Sequence, residues 1–336
     1  MAPIHAILRI GMRRTVTHGL ALAATIGLVL AGGALLGARA ELDITVRARA
    51  IEPGEALLVT IPTPPKATDV RVQAFGREFR AFQIDDVTWQ AVVGIDLDDK
   101  PGDVTIEARA RVDDTRIIAK KTLTVSPHEF PTRRLTVDEQ YVNPPEATME
   151  RIAKEQKELE AIWADSAQTR LWSGAFERPV PQENNSAFGS RSVFNDQPRS
   201  PHSGADFLSP AGTPIHAPNA GRIMLAKELY FTGNTVIIDH GLGMFSLMAH
   251  LSVIDVHEHD TVKTGQLLGA VGATGRVTGA HLHWAIRING ARVDPLSVLE
   301  LKTSGVVSSE NGNSSFPNSL GGNSSFHFQR KRLPRS

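Results

Sequence analysis

Residues 279–288 read Gly279-Ala280-His281-Leu282-His283-Trp284-Ala285-Ile286-Arg287-Ile288. The apolar run Leu282 to Ile288 is short and lies between Gly279 and Gly290, which suits a strand. Residues two apart on a strand project to one face. His281 and His283 therefore both point into one groove, and Leu282 packs behind them.

Upstream, Val236-Ile237-Ile238, Phe245 to Leu251 and Leu267 to Val271 are further short apolar runs. Gly212, Gly221, Gly233, Gly241-Leu242-Gly243 and Gly265 punctuate them. The expectation is a second all-β domain with tight turns over 179–303.

The pattern changes further toward the N-terminus. Asn143-Pro144-Pro145 reads as a cap with prolines in a first helical turn. Met149, Ile152, Leu159 and Ile162 then recur at helical spacing, giving one amphipathic helix from about Glu146 to Ala164 inside a helical linker at 143–172. Either it is a spacer packed by its apolar stripe, or it covers the groove and regulates it. Over 41–127 the period is two. Leu42, Ile44, Val46 and Ala48 alternate with polar residues; Trp89, Ala91, Val93, Ile95 and Leu97 do the same, as do Val104, Ile106, Ala108, Ala110 and Val112. Pro53-Gly54, Pro64-Pro65, Lys100-Pro101-Gly102 and Asp113-Asp114 mark turns. This is the pattern of a β-sandwich, Ig-like in spacing. It holds no His between residues 42 and 125, so no catalytic cluster is expected there. The whole chain reads as all-β with a helical linker.

At the N-terminus, Arg9, Arg13 and Arg14 precede an apolar run from Leu20 to Leu36 and then Ala38-Arg39-Ala40. Residues 1–40 read as a secretory signal peptide, with an uncleaved membrane anchor as the alternative. Either places the rest outside the cytoplasm, in the periplasm or cell envelope, and membrane contact follows only if the segment stays uncleaved. Residues 304–336 are rich in Ser, Asn and Gly and read as a disordered tail.

Composition excludes several chemistries. Lys+Arg and Asp+Glu are both 36 among 336 residues, so formal charge is zero and no nucleic-acid partner is implied. There is no cysteine, hence no disulfide, thiolate metal site, cysteine nucleophile or lipoprotein anchor. A metal must sit on His and carboxylate. His202-Ser203-Gly204-Ala205-Asp206 offers both four residues apart, and prolines and glycines around it disfavour a helix, so the two converge from a turn into a strand. His250 lies between this motif and the His281-Leu282-His283 pair. Catalytic zinc takes three protein ligands and leaves one position for water, whose pKa it lowers to about 7. A fourth protein ligand closes the site, so the remaining histidines suit acid–base work.

At these residues the chain resembles the M23 metallopeptidases, the lysostaphin or LytM-type peptidoglycan endopeptidases. The resemblance runs over about 188–299. It rests on Phe188-Gly189-Ser190-Arg191, His202 to Phe207, Pro214-Ile215-His216-Ala217-Pro218, Gly233-Asn234, Ile238-Asp239-His240-Gly241, Ala249-His250-Leu251, Gly272 to Trp284 and Val293-Asp294-Pro295-Leu296. It implies a compact antiparallel β peptidase domain with a narrow groove. It implies that His202, Asp206 and His283 bind one Zn²⁺, that His250 and His281 are the catalytic pair, and that the substrate is the peptide cross-link of peptidoglycan. Met248 departs from the family's usual Tyr, which puts substrate detail in doubt. His240 is expected to fix a turn, and His257 and His259 to lie in loops. The alternatives are a non-catalytic LytM-fold protein that binds cell wall or activates other hydrolases, and a sugar-binding scaffold. The second would need stacking aromatics, and only 6 % of residues are aromatic.

Overall fold

Strands dominate because short β-branched and apolar runs alternate with glycine turns. The structure is a computed structural model that describes residues 43–136, 145–184, 188–198 and 200–301. The signal or anchor expected at 1–40, the tail expected at 304–336 and the caps Asn143 and Pro144 lie outside those residues. Among the described residues no helix is long and apolar enough to cross a membrane.

The first eight strands are β1 Thr45–Arg47, β2 Ala56–Pro62, β3 Thr68–Ala74, β4 Arg77–Arg80, β5 Phe82–Asp85, β6 Thr88–Gly94, β7 Gly102–Val112 and β8 Thr115–Val125. They form two four-stranded antiparallel sheets, ordered β1-β2-β6-β5 and β4-β3-β7-β8, and β3 and β4 touch β6. In β7 the alternation expected from sequence is realised, with Ile106, Ala108 and Ala110 buried. In β6 it is not, since Gln90 to Gly94 are all buried. The second face of β6 meets the other half of the molecule: a Cβ on Gly94 would stand 2.9 Å from Ala291 and 3.0 Å from Val293.

The helix α1 spans Glu146–Ala164, as the apolar spacing implies. Pro145 occupies its N-cap and no side chain caps it. Only the C-terminal half of the stripe is used: Ile162 packs on Leu225, Leu229, Ile237 and Phe245, with Leu159 and Trp163 alongside, whereas Met149 is 51 % exposed. Beyond α1 the chain is laced to the second half. Ser166 Oγ and the Ala167 N–H donate to the buried Asp239 carboxylate, and Leu171 N–H donates to His240 O.

A small sheet joins β9 (Thr132–Leu135), β10 (Arg191–Phe194) and β11 (Gln197–Pro198), with β9 and β10 parallel. The remaining strands are β12 Gly204–Phe207, β13 Pro214–His216, β14 Gly221–Leu229, β15 Gly233–Gly241, β16 Met244–Ile254, β17 Thr261–Val262, β18 Leu267–Val271, β19 Leu282–Ile288 and β20 Ala291–Val293. They make one antiparallel nine-stranded sheet with β12-β19-β16-β15-β14-β17 as its main path. The short helix α2, Pro295–Leu299, follows, capped by the Asp294 side chain accepting from Leu296 N–H.

The two halves meet through ion pairs whose carboxylates Glu55, Asp96 and Asp294 are buried and whose Asp98 is exposed. The Arg49 guanidinium bridges Glu55 at 2.5 Å and Asp294 at 2.7 Å, and Arg292 binds Asp96 at 2.5 Å and Asp98 at 2.7 Å. One buried apolar cluster runs from Ile44 through Trp172 to Leu301, and the described residues all fall in one unit.

Candidate metal centre

His283 is the hub of the site because β19 lies between two partners. Asp206 of β12 is directly opposite it on one side and Ala249 of β16 on the other. His202 lies two residues before β12. It is held by its own small ladder: His202 N–H donates to Ser190 O at 3.0 Å, and Gly189 N–H donates to His202 O at 2.8 Å. Of the expected turn into a strand, the strand forms from Gly204 and carries Asp206, while His202 and Ser203 lie in irregular backbone and not in a turn.

Three ligand atoms converge. His202 Nε2 is 3.0 Å from Asp206 Oδ1, His283 Nδ1 is 3.0 Å from the same oxygen, and the two nitrogens are 2.9 Å apart. Donors around a tetrahedral zinc at about 2.0–2.1 Å stand roughly 3.3 Å from one another. The triangle therefore needs only a few tenths of an ångström of expansion to accept such an ion, and its donors are of the right kind. Among the described residues this is the group of His and carboxylate able to hold a metal.

Charge fits as well. Burial pushes the Asp206 carboxyl up, but hydrogen bonds from His202 and His283 outweigh it and hold the group well below the usual carboxylate range. Burial lowers the pKa of His283, with the Asp206 hydrogen bond opposing. A neutral imidazole keeps the lone pair that a metal requires.

His250 and His281 stand beside the triangle. Their ring centroids are 4.9 Å apart, and His281 Nε2 is 3.9 Å from Asp206 Oδ1. His250 Nδ1 is 2.9 Å from Thr274 O, and His281 Nδ1 is 2.9 Å from Gly279 O. A carbonyl only accepts, so Nδ1 carries the proton in each ring and Nε2 of the neutral form carries a lone pair. Burial pushes His250 down to about 4, with the charge of His283 adding to it. His250 also has φ +68°, the left-handed region, which is uncommon for a side-chain-bearing residue and swings it out of the regular β16 pleat.

The structure adds residues whose purpose was not readable from sequence. Gly204 pairs with Ala285, and a Cβ there would sit 2.7–2.8 Å from the His283 ring and collide with Trp284 O. Its place inside the HxxxD motif was the available signal. Thr274 holds the His250 ring through its carbonyl, while its Oγ1 accepts from Asn234 N–H and donates to Leu251 O. Met248 is fully buried opposite Trp284, facing the core and not the groove, so its departure from Tyr leaves the site walls untouched. His240 donates from Nδ1 to Ala220 O, fixing the turn as expected, and His257 and His259 are exposed loop residues.

The helix α1 lies on the same sheet face as the site. The pairs Phe245–Arg287, Leu247–Ala285 and Ala249–His283 succeed one another on that face. Trp163 meets Phe245 edge-to-face with ring centroids 5.2 Å apart, and the Arg287 guanidinium is 5.1 Å from the Trp163 ring, two rows from His283.

Residues 200–295 match the pattern described as Peptidase family M23. A solved structure from Pseudomonas aeruginosa, assigned to peptidase M23, is 33 % identical with a TM-score of 0.59, and the match covers 75 % of this chain and 96 % of that one. The chain belongs to peptidase family M23. Among curated relatives, the DD-carboxypeptidase/endopeptidase Mpg of Neisseria meningitidis serogroup B is 44 % identical over 97 residues. The peptidoglycan DD-endopeptidase ShyA of Vibrio cholerae serotype O1 is 38 % identical over 96 residues. Each of these alignments covers 29 % of this chain and 22 % of the relative, so the chain matches about a fifth of their length. The M23 segment contains His202, Asp206, His250, His281 and His283 together.

Proposed function

We propose that this M23 chain is a zinc-dependent endopeptidase that hydrolyses peptide cross-links of peptidoglycan in cell-wall remodelling. One observation carries this above all: His202 Nε2, Asp206 Oδ1 and His283 Nδ1 form a triangle with edges of 2.9–3.0 Å, flanked by two further histidines with Nε2 lone pairs. Two neutral imidazoles and one carboxylate carry a single negative charge, which suits a divalent cation with a position left for water. The relatives are named for DD-bonds, and we take the scissile bond here to join two D-centred residues.

In this reading His202, Asp206 and His283 are the ligands. Bound zinc supplies a Lewis acid for the scissile carbonyl and acidifies water. His250 and His281 serve proton transfer at Nε2: a ring with its lone pair there accepts a proton from the attacking water and, as the imidazolium, gives that proton to the leaving amine. The hydrogen bonds to Thr274 O and Gly279 O fix each ring in the tautomer this needs. The complete set of five residues weighs against a non-catalytic role. The paired N-terminal sheets serve as an Ig-like sandwich that buttresses the peptidase half, α1 links the two regions, and the protein works outside the cytoplasm, in the periplasm or cell envelope.

Mass spectrometry of muropeptides after digestion of purified peptidoglycan tests this. Loss of cross-linked species that stops with a zinc chelator and returns with added zinc is the expected result. Unchanged muropeptides in the zinc-loaded digest sink the proposal.

A further inference from the structure

The paired N-terminal sheets carry an arginine cleft that the metal centre does not use. In β7, Ile106, Ala108 and Ala110 are buried, so Glu107, Arg109 and Arg111 project from the outer face. Register places Arg71 of β3 beside Arg109, and Arg116 of β8 directly opposite Arg111. That face is turned away from β6, the strand that meets β19 and β20. Arg71, Arg109, Arg111 and Arg116 line one cleft of about 290 Å³, together with Asp69 and Glu78. Both of those carboxylates are taken by Arg71, and Arg109 is held by Glu107 at 2.6 Å. Among the described residues Arg111 and Arg116 find no side-chain ion pair or hydrogen bond. Like charges directly opposite one another on neighbouring strands destabilise a sheet. The pair therefore weakens the fold and leaves two guanidinium groups without a carboxylate in one cleft, an arrangement that suits an incoming anion.

Pockets for whole drug-sized ligands run from about 300 to 1,000 Å³, so this cleft takes a charged end group and not a stretch of polymer. Asp69 and Glu78 are exposed on its walls and would repel a continuous anionic surface such as a layer of lipid headgroups. A single carboxylate on a flexible arm passes between them. The peptide stems of peptidoglycan that are not cross-linked end in free carboxylates on such arms. We propose that Arg111 and Arg116 bind these stem carboxylates, so that the N-terminal half holds the chain on the wall while the peptidase half works on a neighbouring cross-link. The choice of polymer rests on the peptidase reading above, whereas the anion cleft stands on the residues of β3, β7 and β8.

Co-sedimentation of the full chain with purified peptidoglycan tests it, with metal removed by a chelator so that nothing is cleaved. The double variant Arg111→Gln, Arg116→Gln is expected to raise the Kd about ten- to a hundredfold, the worth of a charge-assisted hydrogen bond. Peptidoglycan whose carboxyls have been converted to carboxamides should bind the unaltered protein as weakly, and the variant no more weakly still. On a small soluble cross-linked peptide, which reaches the catalytic groove alone, the zinc-loaded variant should keep the kcat/KM of the unaltered protein. Equal binding of native and amidated peptidoglycan by the unaltered protein overturns the proposal without any variant. Undiminished binding of native peptidoglycan by a variant that still cleaves the soluble peptide overturns it too, and leaves the peptidase reading standing. Binding to phosphatidylglycerol vesicles that the two substitutions abolish, with peptidoglycan binding unaffected, assigns the cleft to a membrane and likewise overturns it. Arginine-dependent binding to peptidoglycan by a chain that cleaves no cross-link when loaded with zinc supports the cleft and removes the peptidase reading.

Discussion

Gly204 shows how much of the proposed metal site depends on an atom that is missing. A Cβ on residue 204 would press on the His283 ring at 2.7–2.8 Å and on Trp284 O, so the imidazole has room beside Asp206 because that carbon is absent. Gly204→Ala is expected to turn the ring away and weaken zinc binding by about ten- to a hundredfold, as loss of ligand support does elsewhere; competition with a chromophoric chelator measures it. The histidines divide differently. His250→Ala and His281→Ala should retain zinc yet lose about a hundred- to ten-thousandfold in cleavage, the range for a lost proton-transfer group. His202→Ala should lose both. Metal content and turnover on peptidoglycan, measured on the same preparations, separate these outcomes, and a fully active His281→Ala protein removes that residue from the pair. At this scale the sequence was readable in residue types and spacing. The left-handed φ of His250 and the hydrogen-bonded tautomers were not, because contacts distant in the chain impose them.

Elements defined by a repeating pattern were legible where one face meets the core and the other meets water. Leu282 to Ile288 and Leu267 to Val271 are strands with the ends their apolar runs imply, and Glu146 to Ala164 is a helix over the span its spacing implies. The period failed at β6, which is buried on both faces, since no local pattern reveals a partner some 200 residues away. A less visible element is the segment Phe188–Ser190. It pairs with His202, and its Phe188 ring lies against Gly54, which has φ +89° and no room for a Cβ. Phe130 closes the other side, 6.1 Å from Phe188, and fills the space beside Gly189. The N-terminal half thereby supports a proposed metal ligand. Phe188→Ala is expected to cost about 3–5 kcal/mol of stability and also to lower zinc affinity. Urea unfolding and zinc titration check the two effects, and an unchanged zinc affinity in a folded variant breaks the link to His202.

Over the whole molecule, two buried histidines tie stability to pH. Burial holds His240 and His250 each down to about 4, against the usual value near 6.5. Each is neutral when folded, whereas the unfolded chain takes up the proton between pH 6.5 and 4. Stability is thus full above about 6.5 and falls as pH drops toward 4. His240, outside the proposed ligand set, should account for about 2 kcal/mol between pH 7 and 5. Urea midpoints of metal-free protein across that range should decline, and His240→Gln, which keeps a polar side chain without the ionisation, should flatten the decline. Two regions were legible in the sequence as separate patterns, but their union was not: the Arg49–Asp294 and Arg292–Asp96 ion pairs join residues 245 and 196 positions apart. The close approach of Gly94 to Ala291 and Val293 has one more consequence. A peptidase half excised for transplantation would present that apolar strip to water and invite self-association, so the catalytic half is a poor candidate for grafting into chimeric lysins unless β6 travels with it or the strip is recoated with polar side chains.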